Sequence, residues 1–301
     1  MKKGRSFLLV GAFIMSFSVV FGQGDYAFKV LANKGTNEIK SSGGTWTAVK
    51  TGASLKADDE LKLAENAYIG LVHVSGKPLE LKSAGSYKIA DLASKVATGT
   101  SVLNKYTDFI LSSNSAEAKK NRLSATGAVH RGPTTIKVYL PENNKADVFS
   151  STAIVNWERN GGPYVVTLKN MFDEELGKLE TPETTIQINL AAPEYANESA
   201  ILLEVKSKGD GKLKSETYLL KKLSTAQSEK VKKDLNDFSA QAGDETALNK
   251  FILASFFEEH KLYIDAITAY EQAVKLAPDV PSYKEAYEEF LFRNKLKDEK
   301  R

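Results

Sequence analysis

Near Lys222 the hydrophobic pattern of this chain turns from mainly strand period to helix period and stays there, and that change constrains the fold more than any other feature. Before it, apolar residues cluster or alternate in short runs separated by Gly, Ser, Asn and Asp, which is strand-and-turn chemistry. After it they recur at three- and four-residue spacing over four long stretches, which is helix chemistry. A chain that separates the two patterns belongs to a multidomain β-plus-α class. Its 301 residues exceed what one small core can use, so several domains are expected.

The N-terminus is different again. Lys2, Lys3 and Arg5 precede an unbroken apolar or small run from Ser6 to Phe21, after which Gly22-Gln23-Gly24-Asp25 restores polarity. A basic start, a short apolar run and the small residues Val20 and Gly22 make an export signal spanning 1–22, with cleavage expected after Gly22. The run is shorter than the roughly 20 residues that span a bilayer, so a membrane role is expected only if the signal is retained as an anchor. The expected location is periplasmic or secreted. The formal charge of +3 rests on this segment alone, because beyond it 38 basic residues face 38 acidic ones. A chain of zero net charge offers nucleic acid no general attraction, and no nucleic-acid partner is expected. The locally basic stretch Lys206–Lys222 reads as a solvated face. Cysteine is absent, which excludes disulfides, thiolate metal sites and thiol nucleophiles.

Residues 23–92 read as a small all-β domain with strands at Phe28–Leu31, Asn37–Lys40, Trp46–Val49, Glu60–Leu63, Ala67–Val74, Pro78–Lys82 and Ser86–Ile89. Trp46, the turn Thr51-Gly52 before Leu55, and Asp58-Asp59-Glu60 leading into Leu61 follow one another here. Ala64-Glu65-Asn66-Ala67 then precedes Ile69 and Leu71, and Gly76 turns into Leu79-Glu80-Leu81. This order resembles the FecR domain, an extracytoplasmic β module of bacterial envelope signalling. Residues 93–133 are expected to form a linker. It consists of one helix over Ala93–Leu111, with Val96, Val102, Leu103, Tyr106, Phe109 and Ile110 on one side, and then an extended polar connection.

Residues 134–223 return to strands at Thr135–Leu140, Ala153–Trp157, Tyr164–Lys169, Thr184–Leu190, Ala200–Lys206 and Glu216–Leu220. Gly161-Gly162-Pro163 and Gly209-Asp210-Gly211 are expected to make hairpin turns. Leu140-Pro141, Ile154-Val155-Asn156-Trp157 and Tyr164-Val165-Val166 resemble an immunoglobulin or fibronectin type III sandwich, which implies two sheets with Trp157 in their shared core.

Residues 224–301 are expected to be helical at about 225–241, 245–259, 262–276 and 281–297, with Ser224 and Asp244 as caps and Pro281 opening the last helix. Leu253-Ala254, Phe257, Ala266, Tyr270, Ala273 and Pro278 resemble one tetratricopeptide repeat, which implies an antiparallel helix pair drawn together by small alanines. If Leu253, Ala254 and Phe257 face the companion helix, then Leu248, Phe251, Ser255 and Glu258 point to the other side. These four are the candidate partner-binding residues. The competing reading is that Leu248 and Phe251 pack on helix 225–241.

Motifs for chemistry are missing. His73, His130 and His260 fall in three different segments at no metal-ligand spacing, so no metal or other cofactor is expected. There is no Gly-x-Ser-x-Gly elbow, no Ser-x-x-Lys pair and no phosphate-binding glycine loop. Asp58, Asp59 and Glu60 read as a solvated turn. The function expected is therefore a non-catalytic cell-envelope scaffold or adaptor that docks a partner protein through the C-terminal helices. The alternative is a binding module for an envelope polymer such as peptidoglycan or polysaccharide. An exposed aromatic row on a sheet would favour the polymer, and an open apolar groove in the helices would favour the protein.

Overall fold

The computed structural model describes residues 26–96, 103–125, 135–242 and 245–298. The fold is mixed β and α, with four sheets in the N-terminal and central parts and helices at the C-terminal end. Residues 1–25, where the export signal is expected, lie outside the described residues. Among those described, no helix is long and apolar enough to cross a membrane.

The N-terminal part contains β1 (Phe28–Lys34), β2 (Asn37–Lys40), β3 (Thr47–Ala48), β4 (Ser54–Leu55), β5 (Glu60–Leu63), β6 (Tyr68–His73), β7 (Pro78–Leu81) and β8 (Gly85–Lys88). They form two antiparallel sheets, ordered β4-β1-β6-β7 and β3-β2-β5-β8. Phe28, Val30, Leu55, Leu61, Leu63, Ile69 and Leu71 fill the space between the sheets. β1 and β6 are buried on both faces. Leu31, Ala32, Tyr68 and Val72 point away from that space and join the core of the C-terminal helices. This explains why Tyr68–Val72 is continuously apolar, since a strand covered on both sides has no polar face to alternate with.

The linker differs from expectation. α1 (Ile89–Lys95) starts earlier and stops at Val96, whose backbone is extended, so Ala93–Leu111 is not one helix. α2 (Leu103–Ser113) carries Tyr106 and Ile110 into the helical core. The polar stretch expected to be extended is instead α3 (Ala116–Ala125), and Ser115 Oγ accepts from the Ala118 amide at 3.1 Å at its start. Val102 and His130 lie outside the described residues.

The central part holds β9 (Lys145–Val148), β10 (Thr152–Asn156), β11 (Tyr164–Lys169), β12 (Glu175–Thr181), β13 (Thr185–Asn189), the short α4 (Pro193–Ala196), β14 (Ala200–Ser207) and β15 (Tyr218–Lys222). Five strands form one sheet in the order β12-β11-β14-β15-β9, and β10 pairs with β13 in a second. A common core lies between them. Trp157 is 1% exposed there, edge-on to Tyr164 at 5.4 Å. Two expectations fail in this part. Thr135–Leu140 alternates correctly, with Ile136, Val138 and Leu140 buried, but it makes only isolated bridges. Gly161-Gly162-Pro163 does not close a hairpin, because it carries the chain from the β10 sheet to the β11 sheet. The hairpin after β11 turns at Asn170–Glu174 instead, where the Asn170 amide donates to the Glu174 carbonyl at 2.9 Å.

The helices are α5 (Thr225–Ala242), α6 (Ala247–Glu259), α7 (Tyr263–Leu276) and α8 (Pro281–Arg293). Ser224 caps α5 with Gln227, whose side chain accepts from the Ser224 amide at 3.1 Å. Thr246 caps α6, accepting from the Asn249 amide at 3.2 Å, whereas Asp244 lies outside the described residues. Pro281 takes the first turn of α8, where its missing N–H costs nothing. Ala254, Ala266 and Ala273 are fully buried where α6 and α7 approach.

Candidate docking site

The four residues expected to line an open groove do share one side of α6, but the chain itself fills that side. Leu248 is buried against β6, where a Cβ on Gly70 would sit 3.1 Å from its methyl, and its amide donates to Glu80 Oε1 at 2.7 Å. Glu80 thus serves as an acceptor for the α6 N-terminus from a neighbouring strand. Phe251 packs between the Tyr270 and Tyr283 rings at 6.0 and 5.2 Å. Ser255 is fully buried and leans back on the Phe251 carbonyl at 3.5 Å. Glu258 is 7% exposed and takes a bidentate pair from Arg293 at 2.6 Å on each oxygen, with the Asn294 amide at 2.7 Å. The cover therefore comes from the N-terminal sheet and α8, and these four side chains are part of a core.

A second polar seam fastens the helices to the central sheets. Asp265, Thr268 and Glu271 follow one another up α7 at three-residue spacing. Asp265 accepts from the amides of Phe149 at 2.9 Å and Ser150 at 2.7 Å, and Thr268 Oγ accepts from the Ile154 amide at 2.9 Å. The Asn156 side-chain amide donates to Glu271 Oε1 and to the Tyr287 hydroxyl, each at 2.6 Å. β10 has β13 on one edge, and on the other Thr268 of α7 takes its Ile154 amide. Burial pushes the carboxyls of Asp265 and Glu271 above the ordinary range, and the hydrogen bonds pull the other way. The Asp265 carboxylate is thus committed to two backbone amides, and Glu271 to the Asn156 side chain.

Among the described residues there is an open cleft of about 450 Å³ where β1, the Thr51-Gly52 turn, α2, α3 and α8 meet. Leu31, Ile110, Leu111 and Ala286 form its apolar walls, with Phe251 among them. Asn114, Ser115, Lys119, Ser282 and Glu285 supply polar groups of both signs, and Lys119 lies 3.9 Å from Glu289. Ser282 Oγ is buried at this cleft with no hydrogen-bond partner. The size and the mix of apolar wall with a few polar groups suit a bound side chain or small ligand. Of the four expected residues, Phe251 alone reaches it. The sequence offered no hint of the rest, because they come from five separate elements.

The remaining candidates have structural partners. His73 Nδ1 accepts from the Ser75 amide at 3.1 Å and contacts the Ser75 hydroxyl at 2.8 Å, and burial lowers the pKa of its ring. His260 Nδ1 donates to the Phe256 carbonyl at 2.8 Å. Asp59 is not a solvated turn residue as expected. It is 3% exposed, and its carboxylate accepts from the Lys56 amide at 2.7 Å. Among the described residues no group of three His, Asp or Glu side chains converges to hold a metal. Among the described residues the exposed large apolar side chains are Trp46, Val74, Met171, Phe172 and Leu276, which form no aromatic row. Lys40 and Lys62 lie over the Trp46 ring at 5.8 and 5.7 Å.

No protein-family model matches this chain, and no curated protein matches it.

Proposed function

We propose that this protein is a non-catalytic scaffold of the bacterial cell envelope that docks a partner protein. In this reading it is exported by its N-terminal signal, cleaved after Gly22, and works in the periplasm or outside the cell. Its parts would be a FecR-like β module, an immunoglobulin-like sandwich and a helical region related to tetratricopeptide repeats. The observation that carries the reading is the cleft between α2, α3, α8 and the N-terminal sheet, with its apolar walls and mixed polar rim. It provides a seat for an apolar side chain of a partner at the junction of three parts of the chain. In this reading the docking site lies beside the helices and not on the filled face of α6. Polymer binding has Trp46 in its favour, but the lysines already over that ring leave it less free to stack on a sugar.

Ala116 is exposed at the mouth of the cleft, so Ala116→Trp blocks entry without disturbing a core. The proposal expects the protein cross-linked to the wild type in whole envelopes to disappear with this variant at unchanged melting temperature. An undiminished cross-linked band would refute the cleft as the docking site.

A further inference from the structure

The cleft between α3 and α8 carries one charge of each sign that the chain leaves available. Lys119 lies 3.9 Å from Glu289, longer than the roughly 2.7–2.9 Å of a charge-assisted hydrogen bond, so its ammonium keeps donors for another acceptor. Glu285 is exposed and, among the described residues, forms no ion pair. It stands one turn before Glu289 on the same face of α8, roughly 6 Å along the helix from the carboxylate beside Lys119. Both Lys119 and Glu285 line the cleft. An anion site and a cation site about one turn apart suit a ligand that carries a carboxylate and an ammonium on the same carbon.

A second observation does not depend on these charges. Ser282 Oγ exposes less than 1 Å² and has no hydrogen-bond partner, although a hydroxyl buried unpaired costs free energy. Ser282 lies three residues before Glu285 on α8 and lines the same cleft, so a polar ligand there gives its hydroxyl a partner that this chain does not. The rest of the space has a different character. Leu31, Ile110, Leu111 and Ala286 are its apolar walls, and about 450 Å³ falls within the range of small-ligand sites. A hydrocarbon side chain of about leucine size fits that lining, with the charged groups left at the mouth.

We propose that the cleft binds a free apolar α-amino acid, with its ammonium on Glu285, its carboxylate on Lys119 and its side chain against Leu31, Ile110 and Leu111. This rests on the reading of the cleft as an open binding site, and it adds that the amino acid competes there with the docked partner. Isothermal titration calorimetry of the purified chain with L-leucine tests it, with saturable binding expected below about 10 mM. Leucinamide lacks the carboxylate, N-acetylleucine lacks the ammonium and glycine lacks the side chain. Each is expected to bind about tenfold more weakly, or worse. Glu285→Gln and Lys119→Gln are each expected to weaken L-leucine about tenfold at unchanged melting temperature. Ser282→Ala is expected to weaken it too, while the melting temperature holds or rises because an unpaired hydroxyl has been removed. No saturable binding of L-leucine, leucinamide or N-acetylleucine binding as tightly as L-leucine, or undiminished binding by Glu285→Gln would each overturn the proposal. None of these results depends on a partner protein, whose docking is decided separately by the cross-linked band and Ala116→Trp.

Discussion

Replacing Asp265 with alanine tests the seam between α7 and the central sheets. Asp265 is 1% exposed, and its two oxygens take the amides of Phe149 and Ser150. The variant strands both donors next to a new void. Each unpaired amide costs about 1–3 kcal/mol. Part of that is returned because the variant no longer buries a carboxylate, whose desolvation raises the Asp265 pKa. A net loss of about 3 kcal/mol is expected, which for a chain of this size lowers Tm by roughly 6–12 °C. The pH dependence has a definite sign. A folded-state pKa above the ordinary aspartate value means that the folded chain holds the proton more tightly, so this group's contribution to stability falls as pH rises between the two values. The gap between wild type and Asp265→Ala should therefore narrow as pH rises through that window and stay level above it. Thermal melts followed by circular dichroism across pH measure both quantities. A variant melting within a degree or two of wild type would refute the assignment of Asp265 as a backbone anchor. A gap that widens with pH would show that the amide hydrogen bonds outweigh desolvation.

Two further substitutions probe other joints. Glu258→Ala leaves the Arg293 guanidinium half-buried without its carboxylate and is expected to cost about 3–5 kcal/mol in chemical denaturation, while Glu258→Leu with Arg293→Met should recover much of the loss. Gly177 has no room for a methyl group because the Tyr195 hydroxyl lies against it, so Gly177→Ala is expected to cost about 1–3 kcal/mol, and Tyr195→Phe in the same chain should relieve most of it.

Elements with a strong period or a strong punctuation mark were legible in the sequence. Asn37–Lys40, Glu60–Leu63 and Tyr164–Lys169 run where the alternation placed them, and α7 and α8 start within a residue of the expected positions. β12 was not legible. Its sequence Glu-Leu-Gly-Lys-Leu-Glu-Thr carries the charges and glycine of an exposed edge, which lower strand propensity at the places where an edge strand needs them. The hairpin tip was missed for a related reason. Asn170 and Asp173 around Met171-Phe172 are ordinary turn residues, and nothing in a linear pattern says that the apolar pair between them stays in water. The cleft was invisible because its walls come from segments far apart in sequence.

The four residues on α6 show where the reasoning from one helix stops. Spacing tells which side chains share a face, and Leu248, Phe251, Ser255 and Glu258 do share one. It does not tell what covers that face. A clue was nevertheless present in composition. Ala247–Glu259 reads Ala-Leu-Asn-Lys-Phe-Ile-Leu-Ala-Ser-Phe-Phe-Glu-Glu, with apolar residues around most of the circumference and no polar stripe. A helix apolar all round must be covered all round. Ten of its 13 residues are buried, by α7 on one side and by β6, α2 and α8 elsewhere. The same helix that suggested an open repeat thus carried the sign of a central one. Because α6 buries residues of the N-terminal sheet while α7 takes the amides of Phe149, Ser150 and Ile154, the C-terminal helices fix the two β parts relative to each other. Neither sheet pair could supply that fixed relation alone.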